Sequence, residues 1–231
     1  MARHVKDPAS PTPASGDGRH SRWDDHRETR RAELVIAAVA AIDEHGPSAS
    51  IAEIAASAGV SKPVLYRYFT DKDDLYRAVG AWGAHAVIDG LLPVLVSDAP
   101  IRERVEKGCA AYLELISGHP HVFFLLVEHP TNEDPLADGK EMVAAAISRT
   151  LGDGLRELGV DAAGAEPWAH GLVGLGLSTG EWWLRRRTMS RAAVSRYLSS
   201  FIWNAFEGIA HENGVRIDSK GQLRLVAGNE R

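Results

Sequence analysis

Apolar residues recur at intervals of three and four along most of the 231-residue chain, the period of helices buried on one face. Leu34, Val35, Ala38, Val39 and Ile42 form one such stripe. It predicts a first helix from about Asp24 to His45, stopped by Gly46 and Pro47. Residues 1–22 before it mix Pro8, Pro11, Pro13, Gly16 and Gly18 with polar side chains and show no period, the composition of a flexible tail. Ser50 and Glu53 have capping-box spacing, in which hydroxyl and carboxylate each satisfy a backbone N–H of the first turn, so a second helix starts near Ile51. Ile54 and Ala55 face inward on it. Gly59 suits the sharp turn that follows, Val60 plugs the junction, Ser61 is placed to cap a third helix and Pro63 falls in its first turn. Val64, Leu65 and Phe69 face the neighbours of that third helix, which leaves Lys62, Tyr66, Arg67 and Tyr68 for other faces.

The period continues to near residue 211. Asp71 to Asp74 open a long fourth helix with Leu75, Val79, Trp82, Ala86 and Leu91 near one face, and Pro100 begins a fifth that Gly118 and Pro120 end. A short apolar segment, HVFFLLVEH, makes a sixth, and Pro130 to Pro135 read as a polar loop. A seventh helix is predicted over about Leu136 to Leu158, an eighth over Glu166 to Arg187 and a ninth over Ser190 to His211. The eighth holds Gly171, Gly174, Gly176 and Gly180, each costing helix propensity of about 1 kcal/mol, so close backbone approach across a subunit interface is expected there. Tyr197, Leu198, Phe201, Ile202, Ala205 and Phe206 give the ninth a broad apolar surface. Helices eight and nine are therefore expected to build a two-fold four-helix bundle with a second copy. After Asn213 the alternation in VRIDSKGQLRLV fits a short hairpin or an extended tail. The fold class is all-α, with about nine helices.

Two amphipathic helices joined by a tight turn, the second carrying Lys62, Tyr66, Arg67 and Tyr68, have the layout of a helix-turn-helix that holds duplex DNA. Duplex DNA requires cationic and hydroxyl donors for phosphates, and a helix slim enough to enter the major groove. Net charge runs against this reading, at −5 for the whole chain, and residues 1–80 hold eleven Lys/Arg against twelve Asp/Glu. The balance is local: residues 61–72 set Lys62, Arg67 and Lys72 against Asp71 alone, and residues 1–31 hold seven basic against five acidic groups. The bland alternative is an ordinary helical hairpin with half-buried tyrosines and solvated lysines. The tail is either inert or trails Arg19 and Arg22 into a minor groove.

The stretch IAEIAASAGVSKPVLYRYFTDKDDLY, with RRAELVIAAVAAIDEHG before it, resembles the DNA-binding domain of TetR/AcrR-type transcriptional regulators over about residues 24–80. Beyond that, only length and helical character match. The resemblance implies an all-helical homodimer: a three-helix DNA-binding domain at 23–72, a helical ligand-binding and dimerisation domain at 73–212, and a tail at 213–231. It implies that Ser50, Tyr66, Tyr68 and Lys72 hold phosphates and that Lys62, Pro63 and Arg67 meet bases, with Ser61 beside them. Ala52 departs from members that place a base-reading arginine there, so a borrowed recognition code does not transfer. It also implies that the fourth helix is the lever converting ligand occupancy into separation of two DNA-reading heads.

Composition then narrows the function. A content of 45% apolar residues suits a globular protein with a proper core. No apolar run approaches the roughly 20 residues of a membrane span, and no signal region opens the chain, so a cytoplasmic protein without membrane contact is expected. A single cysteine, Cys109, excludes an intrachain disulfide and a cysteine-based zinc cluster. Five of the six tryptophans lie outside the DNA-binding core; either they simply fill a core, or Trp82, Trp168 and Trp182 with Tyr112, Phe123 and Phe124 line a pocket for an apolar or amphipathic effector. Arg185, Arg186 and Arg187 either attract an anionic headgroup such as that of an acyl-CoA or complement the helix dipole. His119, His121, Glu128 and His129 fit no recognised zinc spacing, and neither a phosphate-cradling loop nor a nucleophile elbow is present, so no catalytic residue, metal or cofactor is expected. The expected function is a ligand-responsive repressor on a pseudo-palindromic operator. The alternatives are an activator or ligand-independent regulator, and a helical small-molecule binding module without a DNA role.

Overall fold

The capping box forms as its spacing demands: Ser50 Oγ accepts from Glu53 N, and Glu53 Oε2 accepts from Ser50 N at 2.7 Å. These bonds also hold the Glu53 carboxyl below its ordinary range. In the computed structural model, which describes residues 17–128, 134–218 and 221–225, this box opens α2 (Ile51–Ser57). Ahead of it lies α1 (Asp17–His45), which begins seven residues before the expected Asp24. The earlier start takes in residues 17–22 of the expected tail; residues 1–16 lie outside the described residues. Gly59 adopts φ +63, a left-handed conformation that suits glycine, and it turns the chain into α3 (Lys62–Leu65). Ser61 stands at the N-cap as expected, but its side chain makes no capping bond. Only four residues of α3 are α-helical; the chain continues in hydrogen-bonded turns, Arg67 N to Val64 O and Tyr68 N to Leu65 O.

Asp71 caps α4 (Lys72–Leu95) through Asp74 N. There follow α5 (Ile101–Gly118), α6 (Pro120–Glu128), α7 (Ala137–Glu157), α8 (Ala165–Arg186) and α9 (Arg191–Glu212), each within two residues of its expected bounds. Nine helices are thus present among the described residues, in agreement with the all-α class. The chain beyond α9 resolves its two options as a hairpin, β1 (Val215–Ile217) antiparallel to β2 (Leu223–Leu225), with Val215 opposite Leu225. By length and composition α4 is apolar enough to cross a membrane, with a mean hydropathy of 1.4 in its most apolar window, although Arg77, His85 and Asp89 interrupt the helix and no unbroken apolar run nears 20 residues. Its apolarity serves packing instead: Leu75, Tyr76 and Val79 are buried in the N-terminal core, and α5 and α7 pack along the rest.

That N-terminal core joins Leu34, Ile42, Ile54, Leu65 and Phe69 to the first turns of α4, and also to Val122, Leu125 and Leu126 of α6. One hydrophobic cluster therefore spans the helix-turn-helix and two helices of the second half. Farther along, α7 packs on α8 and α5 on α9. The glycines of α8 divide in consequence. A Cβ on Gly180 would sit 2.8 Å from Ile116 Cδ1 and 2.9 Å from Tyr112 Oη, and one on Gly176 would sit 3.6 Å from Tyr112 Cζ. Gly171 and Gly174 face open space. The expectation of a subunit interface for all four is corrected for Gly176 and Gly180, whose missing side chains make room for α5 of the same chain.

Gly180→Ala is expected to destabilise the fold by about 1–3 kcal/mol through overpacking, while Gly171→Ala is expected to cost nothing in the isolated subunit. Urea denaturation of the two variants checks this, and equal effects would contradict the packing just described.

Candidate nucleic-acid interface and effector cavity

The outer surface of the helix-turn-helix collects most of the expected DNA contacts. Ser50, Ser61, Lys62, Pro63, Tyr66, Arg67 and Lys72 are all exposed, with Tyr66 at 45% despite its large ring. Lys72 lies in the first turn of α4, its ammonium 5.0 Å from the Tyr76 ring. Tyr68 departs from the expected pattern, because its ring is half-buried against the N-terminal core. The reason is a clamp that sequence reasoning missed. Arg31 of α1 lies over the Phe69 ring at 4.7 Å, donates from Nη2 to Asp74 Oδ1 at 2.7 Å, and donates from Nε to the Tyr68 carbonyl. Arg27 donates to the Arg67 carbonyl, and Asp74 Oδ2 accepts from Thr70 N at 2.9 Å. The short recognition element is thereby fixed to α1 and α4 by the carbonyls its loose last turns leave free. Arg27 and Arg31, one helical turn apart, extend the face of the apolar stripe toward the start of α1, but nothing local in the sequence names their partners.

A second site lies between α4, α5, α7, α8 and α9, where a cavity of about 300 Å³ opens among Val87, Leu91, Cys109, Ile147, Leu172 and Trp203. A smaller cavity of about 120 Å³ adjoins it toward α6. Of the residues expected to line a pocket, Tyr112 borders both cavities, Trp168 the larger, and Trp82 and Phe123 the smaller. Phe124 and Trp182 line neither. Phe124 instead carries the Arg185 guanidinium at 5.4 Å, and Trp182 is 40% exposed on α8. Sequence periodicity places these two on the correct helices but cannot fix which side of each faces the void.

Electrostatics in the larger cavity suit an apolar guest. Burial pushes the Cys109 thiol up to about 12 and the Tyr112 phenol upward as well, so both are neutral at physiological pH. The Tyr112 hydroxyl donates to the Gly176 carbonyl at 2.8 Å. Arg104, at the end beside the hairpin, donates to the carbonyls of Ala99 and Leu95 and to Gln222 Oε1. Arg185 meets no cavity: it pairs with Glu128 and Glu181, while Arg187 lies 5.1 Å from the Trp183 ring. The histidines also find structural partners. His119 Nδ1 donates to Asp43 Oδ2 at 2.6 Å and His121 Nδ1 to the Asp43 carbonyl at 2.9 Å, tying α6 to α1; His129 lies outside the described residues. Among the described residues no group of three or more His, Cys, Asp or Glu is placed to hold a metal.

A helix-turn-helix head sharing its core with a helical domain that encloses an apolar cavity defines a one-component DNA-binding regulator. Comparison with known proteins agrees. Residues 34–79 match the bacterial regulatory proteins of the tetR family, and residues 91–217 match the tetracyclin repressor-like C-terminal domain. An uncharacterized HTH-type transcriptional regulator of Mycobacterium tuberculosis is 35% identical over 202 residues, 86% of each chain. The HTH-type transcriptional activator FasR of Mycolicibacterium smegmatis is 30% identical over 203 residues, 86% of this chain and 90% of that one. Among solved structures, a tetR-family transcriptional regulator from Streptomyces coelicolor superposes with a TM-score of 0.64 at 25% identity, over 81% of this chain and 86% of that one. FadR of Bacillus subtilis, solved in complex with stearoyl-CoA, shares the fold with a TM-score of 0.58 at 18% identity, over 74% and 96% of the two chains. The chain belongs to the TetR family of transcriptional regulators, DNA-binding proteins that are typically homodimeric and generally not enzymes.

The raised Cys109 pKa predicts slow alkylation of the native protein. Iodoacetamide at pH 8 is expected to modify Cys109 about a hundredfold more slowly than in the urea-unfolded chain, followed by mass spectrometry. Equal rates would remove the thiol from the cavity.

Proposed function

We propose that the protein is a ligand-responsive repressor that holds a pseudo-palindromic operator as a homodimer and releases it when an amphipathic acyl compound fills the cavity between α4, α5, α7, α8 and α9. The cavity carries this reading: it is lined almost wholly by aliphatic and aromatic side chains, and it abuts the helix that runs unbroken into the core of the DNA-binding head. The same fold houses stearoyl-CoA in the Bacillus subtilis regulator, which supports a long acyl chain as the kind of guest. In this reading residues 23–72 form the DNA-reading domain and 73–212 the effector and dimerisation domain. Lys62, Pro63 and Arg67 meet base edges; Ser50, Ser61, Tyr66 and Lys72 hold phosphates, and Tyr68, half-buried, can offer only its hydroxyl to one. The homodimer forms through α8 and α9, whose unpaired faces match: Gly171, Gly174 and Trp182 on one, Tyr197 and Phe201, 59% and 65% exposed, on the other. Apolar rings left in water on one helix face, beside a strip of glycines on another, are the surfaces that close packing against a second copy would cover.

A second reading makes the protein an activator, favoured by the name of the Mycolicibacterium smegmatis relative. The position of the footprint separates the two: overlap with the promoter core supports repression, and a site upstream of it supports activation.

The test is selection of genomic duplex fragments with purified protein, followed by footprinting and titration with acyl-CoAs. A symmetric footprint, weakened by Lys62→Ala and by Tyr66→Ala in correctly folded protein, is expected. Lys72→Ala, at a phosphate position, is further expected to lower the dependence of binding on salt by a slope of about 1 per subunit. A footprint indifferent to Lys62→Ala and to Tyr66→Ala would reject the recognition surface. Undiminished binding of a single half-site by a monomer would reject the dimer.

A further inference from the structure

The two cavities are neighbours along one helix. Arg104, Cys109 and Tyr112 of α5 border the larger one, and Tyr112, Ile116 and His119 the smaller. At helical rise, Arg104 to Tyr112 is about 12 Å and Tyr112 to Ile116 about a further 6 Å, with His119 just past the end of the helix, so α5 runs beside both chambers. Tyr112 stands at their junction with Val87 of α4 and Val143 of α7, which also border both, and it is the largest and the only polar-tipped side chain of the three. Its ring fills the space left by two glycines of α8, and its hydroxyl is held by the Gly176 carbonyl at 2.8 Å. The ring is therefore seated against a backbone groove and against the buried cluster that includes Ile116 and Phe123, and one neutral hydrogen bond fixes its hydroxyl.

What lies past this ring differs from what lies before it. The larger chamber ends in Arg104, Glu207 and Asn213 beside the hairpin, which gives it a polar end for a headgroup and an apolar end at Tyr112. The smaller chamber is bordered by Trp82 and His119, whose rings meet edge to face with centroids 5.1 Å apart. His119 in turn donates to the Asp43 carboxylate of α1. The smaller chamber thus shares a wall with the joint between the effector domain and the DNA-reading head, whereas the larger one does not reach it.

We propose that Tyr112 is a length gate dividing the cavity into a binding chamber and a signalling chamber, so that only an acyl chain long enough to displace its ring disturbs Trp82 and His119 and shifts α1 through Asp43. Shorter chains occupy the first chamber and bind without releasing DNA. This rests on the reading of the cavity as an acyl site, and it adds a division between binding and response. A ligand shifts an equilibrium only by its differential affinity for the two states. The differential contact lies in the second chamber.

The test uses the full-length protein with its footprinted operator and three probes: octanoyl-, lauroyl- and stearoyl-CoA. Tryptophan emission is compared with that of Trp82→Phe and Trp168→Phe, which separates the chambers. Octanoyl- and lauroyl-CoA are expected to perturb the tryptophans of the larger chamber, Trp168 and Trp203, and to leave the Trp82 signal and operator affinity unchanged. Stearoyl-CoA is expected to perturb the signals of both chambers and to weaken operator binding about tenfold or more. In Tyr112→Ala, lauroyl-CoA is expected to acquire the power to release DNA, a gain that a misfolded variant cannot mimic. In Asp43→Asn, stearoyl-CoA is expected to bind as before but to release less. Equal release by all three probes in the wild type, or an unchanged length threshold in Tyr112→Ala, would overturn the gate while leaving the acyl reading standing. Absence of any response of Trp168 and of operator affinity to every probe would overturn the acyl reading and the gate with it.

Discussion

Everything in this molecule depends on one hydrophobic cluster that belongs to neither half alone. Leu34, Ile42, Ile54, Leu65 and Phe69 of the helix-turn-helix close their core only by adding Leu75, Tyr76 and Val79 of α4 and Val122, Leu125 and Leu126 of α6. At roughly 1.5–3 kcal/mol for each large apolar side chain buried, the shared part of this core outweighs the hydrogen bonds that join the two halves. The head therefore cannot swing freely on a linker. It moves only as α4 and α6 move, because a packed core transmits displacement rather than absorbing it. The Asp43 contacts with His119 and His121 add direction to that coupling, since they fix where along α1 the second domain grips.

The electrostatics follow the same division between scaffold and surface. The cations that hold the head together, Arg27 and Arg31, spend their donors on carbonyls and on Asp74 inside the chain. Lys62, Arg67 and Lys72 are exposed, and against Asp71 alone they make residues 61–72 locally basic in a chain with net charge −5. Net charge describes solubility and long-range steering, whereas DNA contact depends on a few cations in register with phosphates.

Local rules made the N-terminal half legible. Ser50 with Glu53, Gly59 and Pro63 each settle a backbone decision within a few residues, so the helix-turn-helix could be read almost residue by residue, and the family followed from it. The second half resisted wherever the outcome depended on which neighbour a face meets. Gly171 and Gly180 look alike in the sequence, yet one faces open space and the other the Tyr112 ring. Phe123 and Phe124 are adjacent, and only the first reaches a cavity. The Arg31 clamp was hidden for the same reason: its partners, Tyr68 and Asp74, lie roughly forty residues away, and no local pattern encodes a contact at that range.

The construction of α3 has an evolutionary consequence. Its inward residues, Val64, Leu65 and Phe69, hold it in place with help from α1, while Ser61, Lys62, Pro63, Tyr66 and Arg67 are exposed. Lettering and page are thus largely separate: the side chains that would spell out an operator lie outside the buried core that displays them. Such a protein is free to drift to new promoters by surface substitutions of near-zero stability cost, with its sensing half untouched. Relatives sharing a third of their residues can therefore preserve the same architecture while answering to different stretches of the genome.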